Sequence, residues 1–339
     1  MRRIRIAQIG TSRYSHGMDI FATLKKYPDV FEIVGYAMPE GEKEKFLTGH
    51  TTFNGYTEMS VEEIMQDESI EAVVIETEEI YLTKYALMAA EHGKHIHMEK
   101  PGGISLADFE ALIAAVKANG KVFHTGYMYR YSPVIRDVIR RVKEGEFGRV
   151  VSVEAQMSGW HDGEQARFLE AFPGGMMFFL GCHLIDLVLQ LQGKPQAILP
   201  FNKSSGIHDT DAKDFSAAVL EYPHGVSFIK TTQAERGGFH KRRLVVTGTE
   251  GRVEICPLEV NENYPIQYAE YDECKSTEWI AWSDKKCGER YHRYGDMMLS
   301  FAAMVRGEKE NPYTYDYELD LYRLIFDACK DTPTKYEEV

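Results

Sequence analysis

The chain has 339 residues, which is long enough for about two domains of ordinary size. Its hydrophobic fraction of 44% and charged fraction of 27% are typical of a globular protein and argue against extensive disorder. The net charge of −13 without a basic run argues against nucleic-acid binding, and no apolar stretch approaches the ~20 residues that span a bilayer. Five scattered cysteines without a C-x-x-C pair predict reduced thiols in a cytoplasmic protein and no metal site.

Short apolar strands alternate with helical patterns over the first 125 residues. The predicted strands lie at 4–9, 31–37, 72–75, 94–98 and 121–125. Between the last three strands, apolar stripes at helical spacing run over 82–89 and 106–116, and a glycine follows each of them. Strands separated by helices of this length predict a parallel, doubly wound sheet with right-handed crossovers.

From about residue 150 the pattern changes to strands without intervening helices. The alternating segments lie at 150–156, 215–222, 225–232, 244–247 and 252–255. The second and third of these flank a two-residue turn, and the last two flank a turn bounded by glycines, so each pair predicts a hairpin. Helical patterns return at 290–305 and 316–330. We therefore predict a first domain over 1–126 and a second over 127–339, with a mainly antiparallel sheet in the second. The C-terminal helix is expected to pack back onto the first domain.

The turn after the first strand carries part of a dinucleotide-binding pattern. Such a site needs a tight strand-to-helix turn whose amides approach the pyrophosphate at a helix N-terminus. Gly10 keeps the first glycine of G-x-G-x-x-G, whereas Ser12 and Ser15 occupy the second and third positions. The serines crowd the phosphates but can also hydrogen-bond them, and Arg13 can add positive charge. An ordinary strand-to-helix turn explains these residues equally well.

The residues after the second strand bear on the choice between NAD and NADP. Met38 stands where an acid usually hydrogen-bonds the adenosine ribose, and Glu40 and Glu42 follow it. No arginine stands there to receive a 2′-phosphate. NAD is therefore favoured over NADP, although both stay open.

A lysine directly follows the fourth strand, in Glu99-Lys100-Pro101. Ligands of open parallel sheets bind outside the carboxyl ends of the strands, which places Lys100 at that edge. An ammonium group there can hydrogen-bond a substrate hydroxyl and stabilise the alkoxide that forms as hydride leaves. The alternative is a solvated lysine in an ordinary strand-to-helix loop.

The segment 89–101, which ends in Glu99-Lys100-Pro101, resembles the signature of the Gfo/Idh/MocA oxidoreductases, such as glucose–fructose oxidoreductase and inositol dehydrogenase. The resemblance continues through 126–133, 145–154, 174–186 and 247–251 and so extends over nearly the whole chain. It implies a Rossmann domain followed by an α/β domain with a large antiparallel sheet. It also implies a tightly held NAD or NADP and, usually, oxidation or reduction at a sugar or polyol carbinol. The expected dinucleotide-binding residues are Gly10, Ser12, Arg13, Met38, Thr77, Glu99 and Lys100.

The same resemblance makes His183 the general base that takes the hydroxyl proton while hydride goes to the nicotinamide. An imidazole, with an ordinary pKa of ~6.5, suits that role near neutrality. Asp186 lies three residues later on the same predicted helix face and would orient the imidazole. Together with Lys100 these are the expected catalytic residues. The alternative is a buried structural histidine bonded to a backbone carbonyl, with Asp186 as its partner.

Two positions depart from the family pattern. Phe179 stands where many active members carry an aspartate, and a phenyl ring can shape an apolar pocket but cannot accept a proton. Thr77-Glu78 replaces the usual Thr-Pro pair after the third strand. Glu76, Glu78 and Glu79 therefore cluster at the sheet end that normally faces the cofactor. These changes leave ordinary steady-state dehydrogenation open and do not affect the fold prediction.

The candidate substrate-binding residues are Tyr127, Arg130, Trp160, His161, Arg167 and Phe179. Those around Trp160 lie in a polar loop that can stack on or hydrogen-bond a sugar, and a plain surface loop is the alternative.

Three functional classes stay open. The first is an NAD(P)-dependent oxidoreductase acting on a carbinol of a sugar, polyol or derivative. The second uses the bound nucleotide as a recycled redox centre, in glycoside cleavage or epimerisation, and the third is a non-catalytic ligand sensor. The expected partner is a small sugar or polyol, with no nucleic acid and no membrane. The open antiparallel sheet, a common oligomer interface in the family, predicts a homodimer or homotetramer.

Overall fold

The computed structural model of the chain describes residues 2–336 and divides into two compact units. The first unit contains the described residues up to 128 together with 294–320. The second contains 129–293 together with the described residues from 321 on. Among the helices of residues 2–336, none combines the length and the apolar character needed to cross a membrane.

Helices and strands are numbered in chain order. The helices are α1 (Gly17–Lys26), α2 (Glu42–Phe46), α3 (Val61–Gln66), α4 (Leu82–Glu91), α5 (Leu106–Ala118), α6 (Pro133–Lys143), α7 (Gly163–Leu169), α8 (Cys182–Gln192), α9 (Gly295–Val305) and α10 (Tyr315–Ala328). The strands are β1 (Ile4–Ile9), β2 (Phe31–Ala37), β3 (Ala72–Ile75), β4 (His95–Met98), β5 (Phe123–Thr125), β6 (Val150–Ser158), β7 (Ala197–Lys203), β8 (Phe215–Tyr222), β9 (Gly225–Thr232), β10 (Arg243–Gly248), β11 (Gly251–Ile255), β12 (Val260–Asn263), β13 (Ile266–Tyr268), β14 (Glu270–Cys274), β15 (Lys286–Cys287), β16 (Tyr291–His292) and β17 (Thr334–Lys335).

The first unit is built on a five-stranded parallel sheet in the order β2-β1-β3-β4-β5, which confirms the predicted doubly wound architecture. β1 is its buried centre, with Ile4, Ile6 and Ile9 at 0% exposure. Each such side chain contributes about 1.5–3 kcal/mol through burial. β4 and β5 begin later than predicted, because the amides of Lys94 and Lys121 donate to helix carbonyls instead of to the sheet.

The strand order brings the loops after β1, β3 and β4 to one edge of the first sheet. β1 has β2 on one side and β3 on the other, so the direction of winding reverses at β1. In open parallel sheets the crevice at such a reversal, outside the carboxyl ends of the strands, is where ligands bind. The Gly10 turn and Lys100 both belong to this edge.

The second unit is built on a nine-stranded sheet in the order β15-β14-β11-β10-β6-β9-β8-β7-β17. Both predicted hairpins are present, as β8–β9 and β10–β11, and the mainly antiparallel character is confirmed. β6 and β9 pair in parallel, so the sheet is mixed. The buried helix α8, which carries His183, contacts β6 and β9. A smaller sheet in the order β12-β13-β16 was not predicted.

One face of the nine-stranded sheet exposes a group of aromatic side chains. Phe201, Phe215 and Phe228 are 52%, 37% and 48% exposed. The register places them on one face, since Phe201 pairs with Ala217, two residues from Phe215, and Phe228 pairs with Val219. Aromatic side chains grouped in this way on a surface are typical of an interaction site.

Candidate functional site

The turn between β1 and α1 holds Gly10 in a conformation that favours glycine. Its φ is +83°, and a Cβ atom at this position would lie 2.4 Å from Cγ2 of Thr77. Its amide donates to the carbonyl of Ala37, the last residue of β2, at 2.8 Å. A side chain at position 10 would therefore push apart loops that meet at the carboxyl edge of the sheet. Thr77 itself is fully buried.

The amides of this turn donate to the two serine hydroxyls. Oγ of Ser12 accepts from the amides of Tyr14 at 3.3 Å and Ser15 at 2.9 Å. Oγ of Ser15 accepts from the amides of Ser12 at 2.9 Å and Gly17 at 3.3 Å. The turn is therefore an array of amide donors at the N-terminus of α1, each facing an oxygen acceptor.

A buried carboxyl takes a further donor of the turn. Glu42 accepts from the amide of Thr11 at 3.3 Å and from the amide of Glu78 at 3.1 Å. Burial raises the pKa of Glu42 to about 8, and these two hydrogen bonds limit the rise. The carboxyl of Glu42 thus occupies a position at which the amides of the turn can bind an anion.

These residues fit the pyrophosphate of a dinucleotide. Phosphate oxygens could replace the oxygens of Ser12, Ser15 and Glu42 at the amides of the turn, next to the positive end of the α1 dipole. A hydroxyl that rotates away from an amide can also donate to the phosphate. Arg13 is exposed beside the turn, and its guanidinium carbon lies 5.8 Å from the ring centre of Tyr14.

The segment after β2 is rich in carboxylates. Met38 is half-buried and packs against the aromatic cluster of Phe21, Tyr36 and Phe53. Glu40 accepts hydrogen bonds from Nζ of Lys84 and the hydroxyl of Tyr85, both at 2.6 Å. The Lys84 hydrogen bond lowers the pKa of Glu40, so this carboxyl is charged at neutral pH.

Lys100 is buried, at 3% exposure, so the alternative of a solvated loop lysine is wrong. Its Nζ lies 3.8 Å from Oε1 of Glu99, which is 2% exposed. The other oxygen of Glu99 lies 3.0 Å from Nδ1 of His16. Burial raises the pKa of Glu99, but His16 and Lys100 outweigh it and hold that pKa below its usual value. The carboxyl edge of β4 therefore presents a buried ion pair.

Two more carboxyls are buried at this edge, after β3. Glu76 and Glu79 are 0% and 1% exposed, and within residues 2–336 neither carboxyl has a hydrogen-bond partner from another residue. Nε2 of His97 lies 3.7 Å from Oε1 of Glu76. Burial raises the pKa of Glu79 to about 8 and that of Glu76 well above its usual value, to which neighbouring Glu99 adds. Both carboxyls are thus held neutral at pH 7.

A histidine pair that the sequence analysis missed lies beneath these carboxyls. Nδ1 of His97 on β4 is 2.7 Å from Nδ1 of His124 on β5, so one ring donates to the other. Phe301 of α9 stacks on His124 with the ring centres 5.4 Å apart. Burial lowers the pKa of His97 to about 4, so its ring is neutral. The alternation of side chains along β4 could have indicated that His97 shares a sheet face with Glu99.

In the second unit, His183 is the second residue of α8 and follows a π-helical turn over Met177–Gly181. Such turns occur frequently at functional sites. His183 is 2% exposed, and its ring meets that of Tyr129 edge-on, with centres 5.4 Å apart.

Tyr129 connects His183 to a buried charge network that the sequence analysis also missed. The Tyr129 hydroxyl donates to Glu259 at 2.7 Å, and Glu259 accepts from Arg242 at 2.6 Å and from Arg293. Burial alone would raise the pKa of Glu259, but the two arginines outweigh it and bring that pKa to about 2. The carboxylate is therefore charged, and this network can fix the ring beside His183.

Asp186 is held by Arg130. The Nε and terminal nitrogen of Arg130 donate to the carboxylate at 2.7–3.1 Å, and Nε2 of Gln190 donates at 2.9 Å. Both charged side chains are 1% exposed. Burial and pairing give Arg130 and Asp186 a structural role. Their expected roles in substrate binding and in catalysis stay predictions.

Phe179 lies within the π-helical turn and is 5% exposed. Its ring contacts Phe168 edge-on at 5.4 Å and stacks with Phe172 at 6.1 Å, measured between centres. The side chain thus belongs to an aromatic cluster, and its expected place in a substrate pocket stays a prediction.

The remaining candidates are divided between the units. Tyr127 is buried in the first unit, whereas Trp160, His161 and Arg167 belong to the second. Trp160 is 38% exposed, and the guanidinium carbon of Arg236 lies 3.9 Å from its ring centre. Burial lowers the pKa of His161, and Arg167 is exposed on α7. Among the described residues, no three His, Cys, Asp or Glu side chains group as metal ligands.

Comparison with known proteins gives matches over both units. Residues 4–127 match the family described as "Oxidoreductase family, NAD-binding Rossmann fold", and residues 135–254 match the "GFO/IDH/MocA C-terminal domain". Scyllo-inositol 2-dehydrogenase (NAD(+)) of Bacillus subtilis (strain 168) is 28% identical over 206 residues, 58% of each chain. 2,7-Anhydro-N-acetylneuraminate hydratase of Escherichia coli (strain K12) is 22% identical over 206 residues, 58% of this chain and 54% of that protein. The chain thus spans less than two thirds of the length of these relatives.

The fold is shared with a solved structure of levoglucosan dehydrogenase in complex with NADH and levoglucosan. The TM-score is 0.78 at 19% identity, over 98% of this chain and 99% of that one.

Proposed function

Because the chain belongs to the Gfo/Idh/MocA oxidoreductase family, we propose that it transfers hydride between a nicotinamide dinucleotide and a carbinol carbon of a sugar, polyol or derivative. The observation that carries this proposal is the buried ammonium of Lys100 beside Glu99, at the carboxyl edge of the parallel sheet. A desolvated cation held at that edge can stabilise an alkoxide far better than one in water.

The dinucleotide, when bound, supplies the hydride acceptor or donor. The Gly10 turn would hold its pyrophosphate through backbone amides and the hydroxyls of Ser12 and Ser15, with Arg13 adding charge. We propose NAD in preference to NADP, because the charged Glu40 would repel a 2′-phosphate.

The two polar candidates of the reaction have separate tasks. Lys100 donates a hydrogen bond to the carbinol oxygen and stabilises it as the C–H bond loses hydride. His183 accepts the hydroxyl proton on an imidazole nitrogen, and Tyr129 and Glu259 keep that ring in place. In the reverse direction His183 returns the proton to the oxygen.

The test compares two buried lysines of the first unit. Lys100→Met should lower kcat about 10²–10³-fold, a larger effect than any loss of nucleotide affinity, because an alkoxide-stabilising donor is lost. The matched control is Lys94→Met. Lys94 is also 3% exposed, but it precedes β4 and donates to the carbonyls of Asp67 and Ile70. Equal turnover of the Lys100 variant and wild type would refute the assigned role.

A second candidate is a reaction in which the nucleotide is recycled. It is favoured by the relative named as a hydratase and by Phe179, which replaces a proton-accepting residue. This function predicts product formation from a glycoside without net change in nicotinamide absorbance. A stoichiometric change in that absorbance would select the simple dehydrogenase.

We also propose that the protein forms a homodimer or homotetramer through the exposed face with Phe201, Phe215 and Phe228. Phe228→Glu should shift the mass in light scattering to that of a smaller species, because a charge would be buried in an apolar interface. A wild-type monomer at micromolar concentration would contradict this.

A further inference from the structure

The carboxyl edge of the first sheet carries more buried acid than its own bases neutralise. Glu76 and Glu79 follow β3, Glu99 follows β4, and all three are at most 2% exposed. The oxygens of Glu76 and Glu79 have no hydrogen-bond partner from another residue within 2–336. Buried carboxyls are normally paired or hydrogen-bonded, so two unpartnered ones beside a lysine indicate a ligand.

The chemistry of that ligand follows from the proposed function, on which this inference rests. In doubly wound sheets an acid after the second strand takes the adenosine ribose, and the pyrophosphate lies on the first turn. The adenosine half then lies on the β2 side of β1, where the winding direction reverses. The nicotinamide half extends to the opposite side, toward β3 and β4. That side carries the three glutamates and Lys100.

The two redox states of nicotinamide differ in charge. The oxidised ring is a cation and the reduced ring is neutral, whereas the pyrophosphate is the same in both. We infer that the buried carboxyls of Glu76, Glu79 and Glu99 select the oxidised, cationic nicotinamide over the reduced one, and that its binding expels a proton from this cluster. The amides that donate to Ser12, Ser15 and Glu42 would bind the same pyrophosphate in NAD⁺ and in NADH. Their contribution therefore cancels in the ratio of the affinity for NAD⁺ to the affinity for NADH.

The surroundings of the cluster support the proton release. Burial raises the pKa of Glu79 to about 8 and that of Glu76 well above its usual value, so both are protonated at pH 7 before the cation arrives. A cation bound within about 6 Å of them favours the charged form and lowers both pKa values. The titratable and charged groups that face Glu76 and Glu79 are Glu99, Lys100, His97, Glu78 and Asp19, with His16 beyond Glu99. The Lys100 ammonium repels the cationic ring and so reduces this preference, but it is one cation beside three buried carboxyls.

The sign of the pH dependence follows from this. The ionised cluster binds the cationic ring more tightly than the neutral cluster does. Affinity for NAD⁺ therefore rises with pH up to about 8, the pKa of Glu79, and then levels off. Affinity for NADH lacks this rise. A unit charge ~6 Å from a carboxylate, at an effective dielectric constant of ~20, changes affinity about 100-fold, so we expect NAD⁺ to bind about 10- to 100-fold more tightly than NADH.

The experiment is a calorimetric titration of the whole protein with NAD⁺ and with NADH, at pH 7, in two buffers of different ionisation enthalpy. NADP⁺ and NADPH are run alongside. We expect the oxidised nucleotide to bind more tightly and to release a proton, and the reduced one to release none. Equal affinities without proton release would overturn the inference and leave the proposed function standing. Failure of every nucleotide to bind would overturn both.

Variants connect the effect to the carboxyls. Glu79→Gln keeps the shape and removes the charge, so the affinity for NAD⁺ should fall about tenfold while that for NADH stays the same. The matched control is Glu78→Gln, since Glu78 is the neighbouring residue but its side chain is 22% exposed and lies 3.0 Å from Lys45. If Glu79→Gln does not fold, Glu76→Gln and the wild-type buffer comparison test the same selection by charge. Parallel loss of affinity for both redox states would refute it.

Discussion

The ion pair between Arg130 and Asp186 allows the structural role of Asp186 to be measured. Asp186→Ala would leave the Arg130 guanidinium at 1% exposure without its carboxylate. Removing one partner of a buried pair costs about 3–5 kcal/mol, a large share of the ~5–15 kcal/mol that stabilises a domain. With a urea m-value of about 2 kcal/mol/M, the unfolding midpoint should fall by roughly 2 M.

Tryptophan fluorescence reports this transition from the correct unit, because Trp160, Trp279 and Trp282 all belong to the second unit. The control is Glu144→Ala, which breaks a surface pair whose side chains are 56% and 57% exposed and should leave the midpoint unchanged. If Asp186→Ala moves the midpoint no more than this control does, the pair does not stabilise the unit and our reasoning fails.

The double variant Arg130→Met/Asp186→Leu separates stability from catalysis. Replacing both partners by apolar side chains leaves no buried charge unpaired, so most of the lost stability should return. Turnover that also returns would exclude an orienting role of Asp186 toward His183. Turnover that stays low in the stable double variant would support a role of Arg130 or Asp186 in the reaction beyond stability.

Two further predictions concern Glu259 and Gly10. The pKa of Glu259 is depressed to about 2, so its contribution to stability is present above the ordinary carboxyl pKa of ~4.3 and is lost as the pH falls toward 2. Glu259→Gln should therefore flatten the acid-unfolding curve, and an unchanged curve would contradict this. Gly10→Ala should weaken both stability and nucleotide affinity, because its Cβ would lie 2.4 Å from Cγ2 of Thr77. Gly41→Ala is the control, since φ is +71° there but nothing lies within 4 Å.

The family and the two architectures were predicted from the sequence and are confirmed, because both rest on local patterns. Apolar runs such as Ile4–Ile9 and alternating segments such as Phe215–Tyr222 carry their own periodicity. The small sheet was missed because its strands have two to four residues and Val260–Asn263 is mostly exposed. Strands of that length depend on their pairing partners, which periodicity does not reveal.

The candidate site was predictable only in part, for the same physical reason. The motif located Lys100 at the sheet edge, but nothing in the local sequence showed that this lysine is buried. Glu259 gave no local signal, because its partner Tyr129 lies 130 positions away. The residue types around Asp186 could not indicate that Arg130, 56 positions earlier, takes its carboxylate. Buried charged residues that pair across a long sequence separation can be assigned to each other only when the fold is known.

Glu259 in the second unit and the pair Glu76 and Glu79 in the first unit are buried in opposite protonation states, and the contrast bears on function. Glu259 accepts from a tyrosine and two arginines, so burial does not prevent it from staying charged. Glu76 and Glu79 receive no such donors from residues 2–336, and they stay buried by remaining protonated. A protein that needed only stability at this edge would gain by replacing them with apolar side chains of similar volume. Their presence beside Lys100 is explained if a cationic ligand binds there. The positive charge of that ligand would stabilise the ionised carboxylates, as the two arginines stabilise Glu259.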